Sequence, residues 1–325
     1  MPADILTASI LIPSYRRPAA LTAVLLSLAG QVAPPDEVLV VWQGDDTPTR
    51  DAAERLHDRL PGALRILHCD ERGVVPAENT ALAAARGRII LLIDDDAIAP
   101  PDWLERHRTH YLDPTVGAVG GPADNFHPDG TPFPRRAVEP VGRVTAAGRI
   151  LGNMYDQPIA WRSRPPRDVD ALVGYNLSLR RAAFDRFETG LRPYWNLFEL
   201  DACYQVKARG YRVRFDFGLV VEHHPTNTAY TADRDGDLTI KVINPSYNHA
   251  FVLSRWSSGL FRPLRYLTGF LVGSVNTPGL LAALVAIRRH GRPGREWGIL
   301  RSARRAKAEG WRAGAATRRD NGLKT

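Results

Sequence analysis

The residues of this 325-residue chain best equipped for chemistry are three adjacent acids, Asp94, Asp95 and Asp96, directly after five branched apolar residues, Ile89–Ile93. Carboxylates this close repel by roughly 1 kcal/mol or more per pair even near water. A divalent cation held by hard oxygen ligands is the obvious compensation. Two further acids, Glu199 and Asp201, open a helical pattern that runs to about Arg209, and a helix start favours the charged carboxylate. His223 and His224 close a short apolar run. Cys69 and Cys203 read as small core residues; two cysteines make no disulfide framework and suit a reducing compartment.

The apolar patterning shows which elements must position these groups. Strands are expected at 9–15, 36–46, 63–69, at the run before the aspartates, and at 116–123. Helices are expected between them, at 17–31, about 49–60, 75–87 and 100–112. That alternation predicts an α/β fold with a mainly parallel sheet flanked by helices. Ligands of such sheets sit outside the carboxyl ends of the strands, where Tyr15, the 43–46 turn and Asp94–Asp96 can converge. Residues 124–170 are rich in Pro, Arg and Gly without a sustained period, and read as an irregular insertion. Ordered signals return over 170–225.

Charge divides the chain. Residues 1–250 hold 28 Lys/Arg and 32 Asp/Glu, whereas residues 251–325 hold 15 Lys/Arg and 3 Asp/Glu. The basic end therefore suits an anionic partner. Tyr266–Ile287 is 22 residues without a formal charge, but Asn276, Thr277 and Pro278 interrupt it. Two short amphipathic helices broken near Pro278 are expected rather than a membrane span, followed by a basic helix at about 296–313 and a disordered last dozen residues. Arginines flanking the uncharged stretch imply peripheral docking on the inner face of the cell membrane. A helical lid with solvated arginines is the plainer alternative. No aromatic-interleaved basic stripe points to nucleic acid. The N-terminus shows no basic-then-apolar secretory pattern, so a cytoplasmic protein is expected.

Four segments, taken in order, carry a resemblance. They are SILIPSYRRP (9–18), ERGVVPAENTALAAARGRIILLIDDDAIAPPDWL (71–104), VGYNLSLRRAAF (173–184) and FELDACYQVKARGYRV (198–213). Together they resemble the family 2 glycosyltransferases of the GT-A fold over roughly residues 8–225. The resemblance implies a Rossmann-like catalytic domain at 1–225 and leaves 226–325 as a helical, basic extension. It implies sugar transfer from a nucleoside-diphosphate-sugar to a hydroxyl on a glycan, lipid-linked glycan or small metabolite, in cell-surface polysaccharide or glycoconjugate synthesis.

The same resemblance implies roles. Asp94 and Asp96, joined by His223 or His224, would hold Mn2+ or Mg2+, with Asp94 and Asp95 also against the nucleotide. Pro13, Ser14 and Tyr15 would face the nucleobase and Arg17 the phosphates. Trp42, Gly44 and Asp45 would complete the nucleotide site, with Trp42 stacking on a base. Asn79 would belong to the donor site, Asn176 would touch the donor sugar or the acceptor, and Trp195 would offer a platform to a sugar ring; Asn176 fits a turn, and Tyr15, Trp42 and Trp195 core positions, equally well. Glu199 would be the base of an inverting displacement, with Asp201 as the second candidate. Three departures stand out. Trp42 replaces the acid that ends the family's second strand, Glu78 replaces an arginine in the helix before the aspartates, and Phe198 replaces the first acid before the base. Rival readings are a nucleotidyltransferase, which the glycine-free PSYRRPAAL turn disfavours, and a non-catalytic scaffold.

Overall fold

Ile89–Ile93 is strand β4 of an eight-stranded sheet, and all five side chains are buried, as a continuous branched run requires when both faces of a sheet are covered. The structure, a computed structural model, describes residues 6–60, 62–152, 154–193, 197–225, 237–274 and 276–320. The chain divides into two compact units. One comprises Met1–Arg143, Leu151–Phe187 and Ala202–Thr228; the other comprises Val144–Ile150, Glu188–Asp201 and Ala229–Thr325. The C-terminal helices expected from 226 onward thus group with two earlier segments.

In the first unit, β1 (Ala8–Ser14) pairs in parallel with both β4 and β2 (Glu37–Gln43), and β2 pairs with β3 (Leu64–Cys69). The connecting helices are α1 (Pro18–Ala29), α2 (Thr47–Glu54) and α3 (Val74–Ala84). In α1 the buried residues are Leu21, Val24, Leu25 and Leu28, the apolar stripe read from the sequence. After the aspartates come β5 (Ala97–Ile98), α4 (Trp103–His110) and β6 (Val116–Gly120). β11 (Asn176–Arg180) runs antiparallel between β4 and β6, and β12 (Arg212–Phe215) lies parallel beyond β6. The sheet is therefore mainly parallel, with an antiparallel insert that periodicity alone does not reveal.

The insertion is irregular as expected. Among its described residues the strands are β7 (Ala123–Asn125), β8 (Arg143–Val144), β9 (Ile150–Leu151) and β10 (Arg167–Asp168), none longer than three residues, with one 3-10 turn at Ile159–Trp161. One of these matters for the site. β13 (Val221–His223) lies between β5 and β7 in a small separate sheet, with His223 opposite both Ala97 and Asn125.

α5 (Phe198–Ala208) starts among the residues of the second unit and ends among those of the first. The rest of the second unit is helical: α6 (Asn244–Trp256), α7 (Phe261–Leu271), α8 (Leu280–His290) and α9 (Pro293–Asp320). The break between α7 and α8 falls around Pro278, as read from the sequence. Among the described residues no helix is long and apolar enough to cross a membrane.

One expectation is corrected. Disorder is expected over the last dozen residues, yet α9 continues to Asp320, and the Arg318 guanidinium donates to the Ser257 carbonyl at 2.6 Å; residues 321–325 lie outside the described residues. The reason is backbone contact. Ala306, Gly310 and Gly314 recur every four residues on one face of α9, and a Cβ at Gly310 or Gly314 would lie 2.2 or 2.1 Å from the carbonyl oxygens of Tyr247 and Phe251 on α6. Only glycine permits this approach, and the Arg-rich composition masked it. We expect Gly314→Leu to lower unfolding free energy by about 1–3 kcal/mol or more through forced separation of the helices. Gly298→Ala, where a Cβ meets nothing, should raise it by about 0.5–1 kcal/mol. Urea denaturation of both variants checks this.

Candidate active site

The three aspartates leave β4 into a turn where neighbouring elements meet them. Asp95 is buried; Ser14 at the end of β1 donates its hydroxyl to Asp95 at 2.6 Å, and Arg17 donates to the other oxygen at 3.0 Å. The same Arg17 nitrogen reaches Asp96 Oδ2 at 2.8 Å, so one guanidinium serves two carboxylates. For Asp95, burial raises the pKa, Arg17 opposes, Asp96 adds to the rise, and the balance stands at about 7. Arg17 is itself pushed up: burial alone would lower it, but Asp95 and Asp96 prevail.

His223 closes the cluster from the small sheet. Its Nε2 lies 3.2 Å from Asp96 Oδ1 and 4.0 Å from Asp94 Oδ2. Its Nδ1 lies 2.7 Å from Asn125 Oδ1. The orientation of that amide is forced, because Asn125 Nδ2 donates to Asp156 Oδ2 at 3.0 Å, leaving the carbonyl oxygen for the histidine. His223 Nδ1 therefore carries a proton, and Nε2 is the nitrogen turned to the acids. Asp156 also accepts from the Asn125 backbone at 2.9 Å and adopts a left-handed φ of 44°. The Tyr175 ring stacks on the imidazole with centroids 5.1 Å apart. Burial pulls the His223 pKa down, but the hydrogen bond to Asp96 and the charges of Asp96 and Asp94 outweigh it, and the net shift is upward.

One ligand atom each from Asp94, Asp96 and His223 lies within 4.8 Å of the others. Two carboxylate oxygens and one imidazole nitrogen suit Mn2+, and with added water or phosphate oxygens Mg2+. The Asp94 side chain is 43% exposed against 4% for Asp96, so the cluster opens to solvent on the Asp94 side.

The strand ends beside it form a second polar surface. Gly44, at φ 59°, turns the chain after β2, and Asp45 accepts from Arg72 at 3.2 Å. Arg16 and Arg72 lie 5.1 and 5.2 Å from the Tyr15 ring centroid. Trp42 is half-buried and stacks on His68 at 3.9 Å. Gln43 bridges this corner, accepting from the Gly73 backbone at 2.7 Å and pointing its amide to the Ser14 carbonyl at 3.4 Å. Pro13 is half-buried one residue before Ser14.

Several expected residues have other work. Asn176 is wholly buried: its oxygen accepts from Trp103 at 2.9 Å and His107 at 3.2 Å, and its nitrogen donates to the carbonyls of Leu219 and Pro122 at 2.7 and 3.3 Å. All its hydrogen-bonding positions are engaged in the core. Asn79 pairs both ways with the Phe187 backbone at 3.0 Å, docking α3 on the segment after β11. His224 does not join the metal cluster, because successive strand residues face opposite ways. Its ring stacks on Phe126 at 4.7 Å, and only its backbone N–H meets Asp96, at the carbonyl, 2.8 Å. Trp195 lies outside the described residues.

The two candidate bases differ in burial. Asp201 is fully buried, accepts from Trp256 Nε1 at 2.6 Å and lies 3.6 Å from Arg255 Nε, while Arg255 also pairs with Glu188. Such an engaged carboxylate serves packing. Glu199, in the first turn of α5, is half-buried. Asn125, Asp156, Tyr175, Gln43, His68 and Arg72 were not singled out from the sequence; the first two lie in or beside the aperiodic insertion, where no pattern flags them.

Residues 9–186, more than half of the chain, match the family model described as Glycosyl transferase family 2. The fold is similar to a mannosyltransferase from Pyrobaculum calidifontis in complex with GDP-Man and Mn2+, at 22% identity and TM-score 0.58, covering 97% of this chain and 87% of that one. It is also similar to residues 1–349 of S. aureus TarS in complex with UDP-GlcNAc, at 14% identity and TM-score 0.58, covering 97% and 92%. The succinoglycan biosynthesis protein ExoM of Rhizobium meliloti (strain 1021) is 31% identical over 125 residues, 38% of this chain and 40% of ExoM. Across the curated relatives, the matched stretches span 16% to 40% of their length.

Two outcomes follow from the buried polar groups. Asp201→Ala should lower stability by about 3–5 kcal/mol, the usual result of stripping one partner from a buried ion pair, read by urea denaturation. Burial pushes His107 down to about 3 from 6.5, despite its hydrogen bond to Asn176. The unfolded chain then takes up a proton below pH 6.5 that the native state refuses, so stability is full above that pH and falls as acid is added. His107→Gln should flatten this fall, by about 2 kcal/mol between pH 7 and 5 at about 1.4 kcal/mol per unit, in denaturation at both pH values.

Proposed function

Since the chain belongs to glycosyl transferase family 2 and is a glycosyltransferase, we propose that it moves a sugar from a nucleoside diphosphate to an acceptor hydroxyl, using Mn2+ or Mg2+ held by Asp94, Asp96 and His223. The observation that carries this reading is the convergence of those three side chains at the carboxyl end of the sheet. The Pyrobaculum calidifontis mannosyltransferase and TarS, solved with GDP-Man and UDP-GlcNAc, support a nucleotide-sugar donor. When bound, the cation neutralises charge building on the departing nucleoside diphosphate.

The chain's own residues do the rest. Ser14 and Arg17 hold Asp95, and Arg17 holds Asp96, so the acidic turn keeps its shape with or without donor. Asn125 keeps the His223 nitrogen aimed at the acids. Tyr15, Gly44 and Asp45, with Trp42 and Arg72 beside them, receive the nucleoside at the ends of β1 and β2. The Trp42 ring takes the place of the missing acid by contact rather than by charge.

Glu199 removes the proton from the attacking hydroxyl in a single inverting displacement. Its support is its half-buried place in the first turn of a helix, where the helix start stabilises the ionised carboxylate. No covalent intermediate is needed, so no nucleophile is assigned. The acceptor is a hydroxyl on a glycan, lipid-linked glycan or small metabolite in cell-surface polysaccharide or glycoconjugate synthesis.

The test is incubation with UDP-, GDP- and TDP-sugars and Mn2+, scored by donor turnover. Turnover should stop with chelator and return with added metal. Asp96→Asn should lose on the order of a hundredfold or more in kcat, the scale of one charge-stabilising group. Glu199→Gln should lose about 10²–10⁴-fold with unchanged Tm. Full activity of the Asp94→Asn/Asp96→Asn protein in chelator would sink the metal assignment. Absence of turnover and of any thermal shift with every nucleotide would favour a binding protein on the same fold.

A further inference from the structure

The second unit carries a surface that sugar transfer does not use. On α7, Phe261, Leu264, Leu267 and Leu271 are spaced three and four apart, which places them on one side of the helix, and each is between 43% and 54% exposed. On α8, Leu281, Leu284 and Val285 form a second exposed apolar face, and the buried Ala283 falls on the opposite side. Polar side chains would keep such faces soluble, so contiguous leucines call for a cover.

α7 is not a loosely attached helix. Its other side is seated on α9, with the Tyr266 and Trp311 rings in edge contact at 5.1 Å and the Arg304 guanidinium 5.8 Å from the Phe270 ring centroid. The link from α7 to α8 is fastened by Lys307 of α9. This buried ammonium donates to the carbonyls of Thr277 and Pro278, both at 2.9 Å, and to that of Gly269. The leucine faces are thus held outward by a fixed scaffold.

The charge beside them selects the cover. Arg288 and Arg289 end α8, and Arg292 and Arg295 follow within a few residues; all four are exposed. Residues 251–325 contain only three acids, and one of them, Glu309, is engaged by Arg192 and Arg305. A second copy of this surface would set arginine against arginine. A span across the bilayer is excluded by the length and polarity of the described helices. Leucines flanked by arginines match the headgroup boundary of an anionic bilayer, apolar side chains below and guanidinium groups at the phosphates.

We propose that α7 and α8 dock this chain on an anionic membrane surface, with the leucine faces in the acyl–headgroup boundary and Arg288, Arg289, Arg292 and Arg295 on lipid phosphates. This goes beyond the catalytic reading and is testable without any donor or metal. The experiment is co-sedimentation of the full chain with phosphatidylcholine vesicles, with and without phosphatidylglycerol. Binding should require the anionic lipid and weaken as salt rises, because surface charge is screened. Leu264→Glu/Leu267→Glu and, separately, Arg288→Glu/Arg289→Glu should each cut vesicle partitioning roughly tenfold or more. Both pairs are on the surface, so Tm should hold. Should a variant misfold, energy transfer from the native protein's tryptophans to dansyl-labelled lipid, with and without phosphatidylglycerol, decides the matter. Equal binding to neutral vesicles, indifference to both variants, or a leucine-dependent dimer in sedimentation velocity without lipid would each overturn the proposal. None of those results would touch the reading of the acidic cluster, which donor turnover tests separately.

Discussion

Three carboxylates at the end of a buried strand set the terms for everything around them. Concentrated negative charge beside a low-dielectric core is costly unless positive charge and donors are brought to it. The first unit meets that requirement from two directions. β1, adjacent to β4 in the sheet, delivers Ser14 and then Arg17. The small sheet of β5, β13 and β7 delivers His223 from the far end of the catalytic sequence. The parallel order of the strands is what makes these residues neighbours, since it stacks the carboxyl ends of β1, β2 and β4 on one edge.

The compensation is divided. Arg17 is committed to Asp95 and Asp96 and neutralises the buried side of the turn. The Asp94 side remains accessible. There the imidazole nitrogen of His223 faces two acids with its other nitrogen already donating to Asn125. A lone pair pointed at carboxylates is unfavourable by itself; a proton or a metal ion must lie between them. The upward shift of His223 is the signature of the first occupant, and the donor set suits the second. A proton and the proposed cation would therefore compete for one position.

Much of the fold was legible because buried parallel strands must be apolar runs and their helices must carry a stripe, as Ile89–Ile93 and Leu21–Leu28 do. Asp94 and Asp96 with one of His223 and His224 were expected together from the resemblance, and the structure brings His223 to the acids. What was not legible depended on pairing. The choice between His223 and His224 needs to know which face β13 turns to β5, and a period of two is silent on that. Asn176 and Asn79 look polar and available in a motif, but their amides substitute for backbone partners in the core. Asn125 and Asp156 carry no periodic signal at all. The length of α9 was hidden because the four-residue spacing of Ala306, Gly310 and Gly314 lays down no apolar stripe in an arginine-rich segment.

One modest residue links the irregular stretch to the centre of the chemistry. Asp156 sits in a left-handed conformation inside a segment that otherwise resembles filler, yet its carboxylate steers Asn125, and Asn125 steers His223. The segment therefore cannot be swapped between homologues as a neutral cassette. A transplanted loop must deliver an acid at that same awkward backbone angle, or the imidazole is released to rotate. Conversely, a loop that shifts this acid slightly would re-aim the imidazole through Asn125 while the acids it faces stay untouched, giving evolution a remote dial on the cluster.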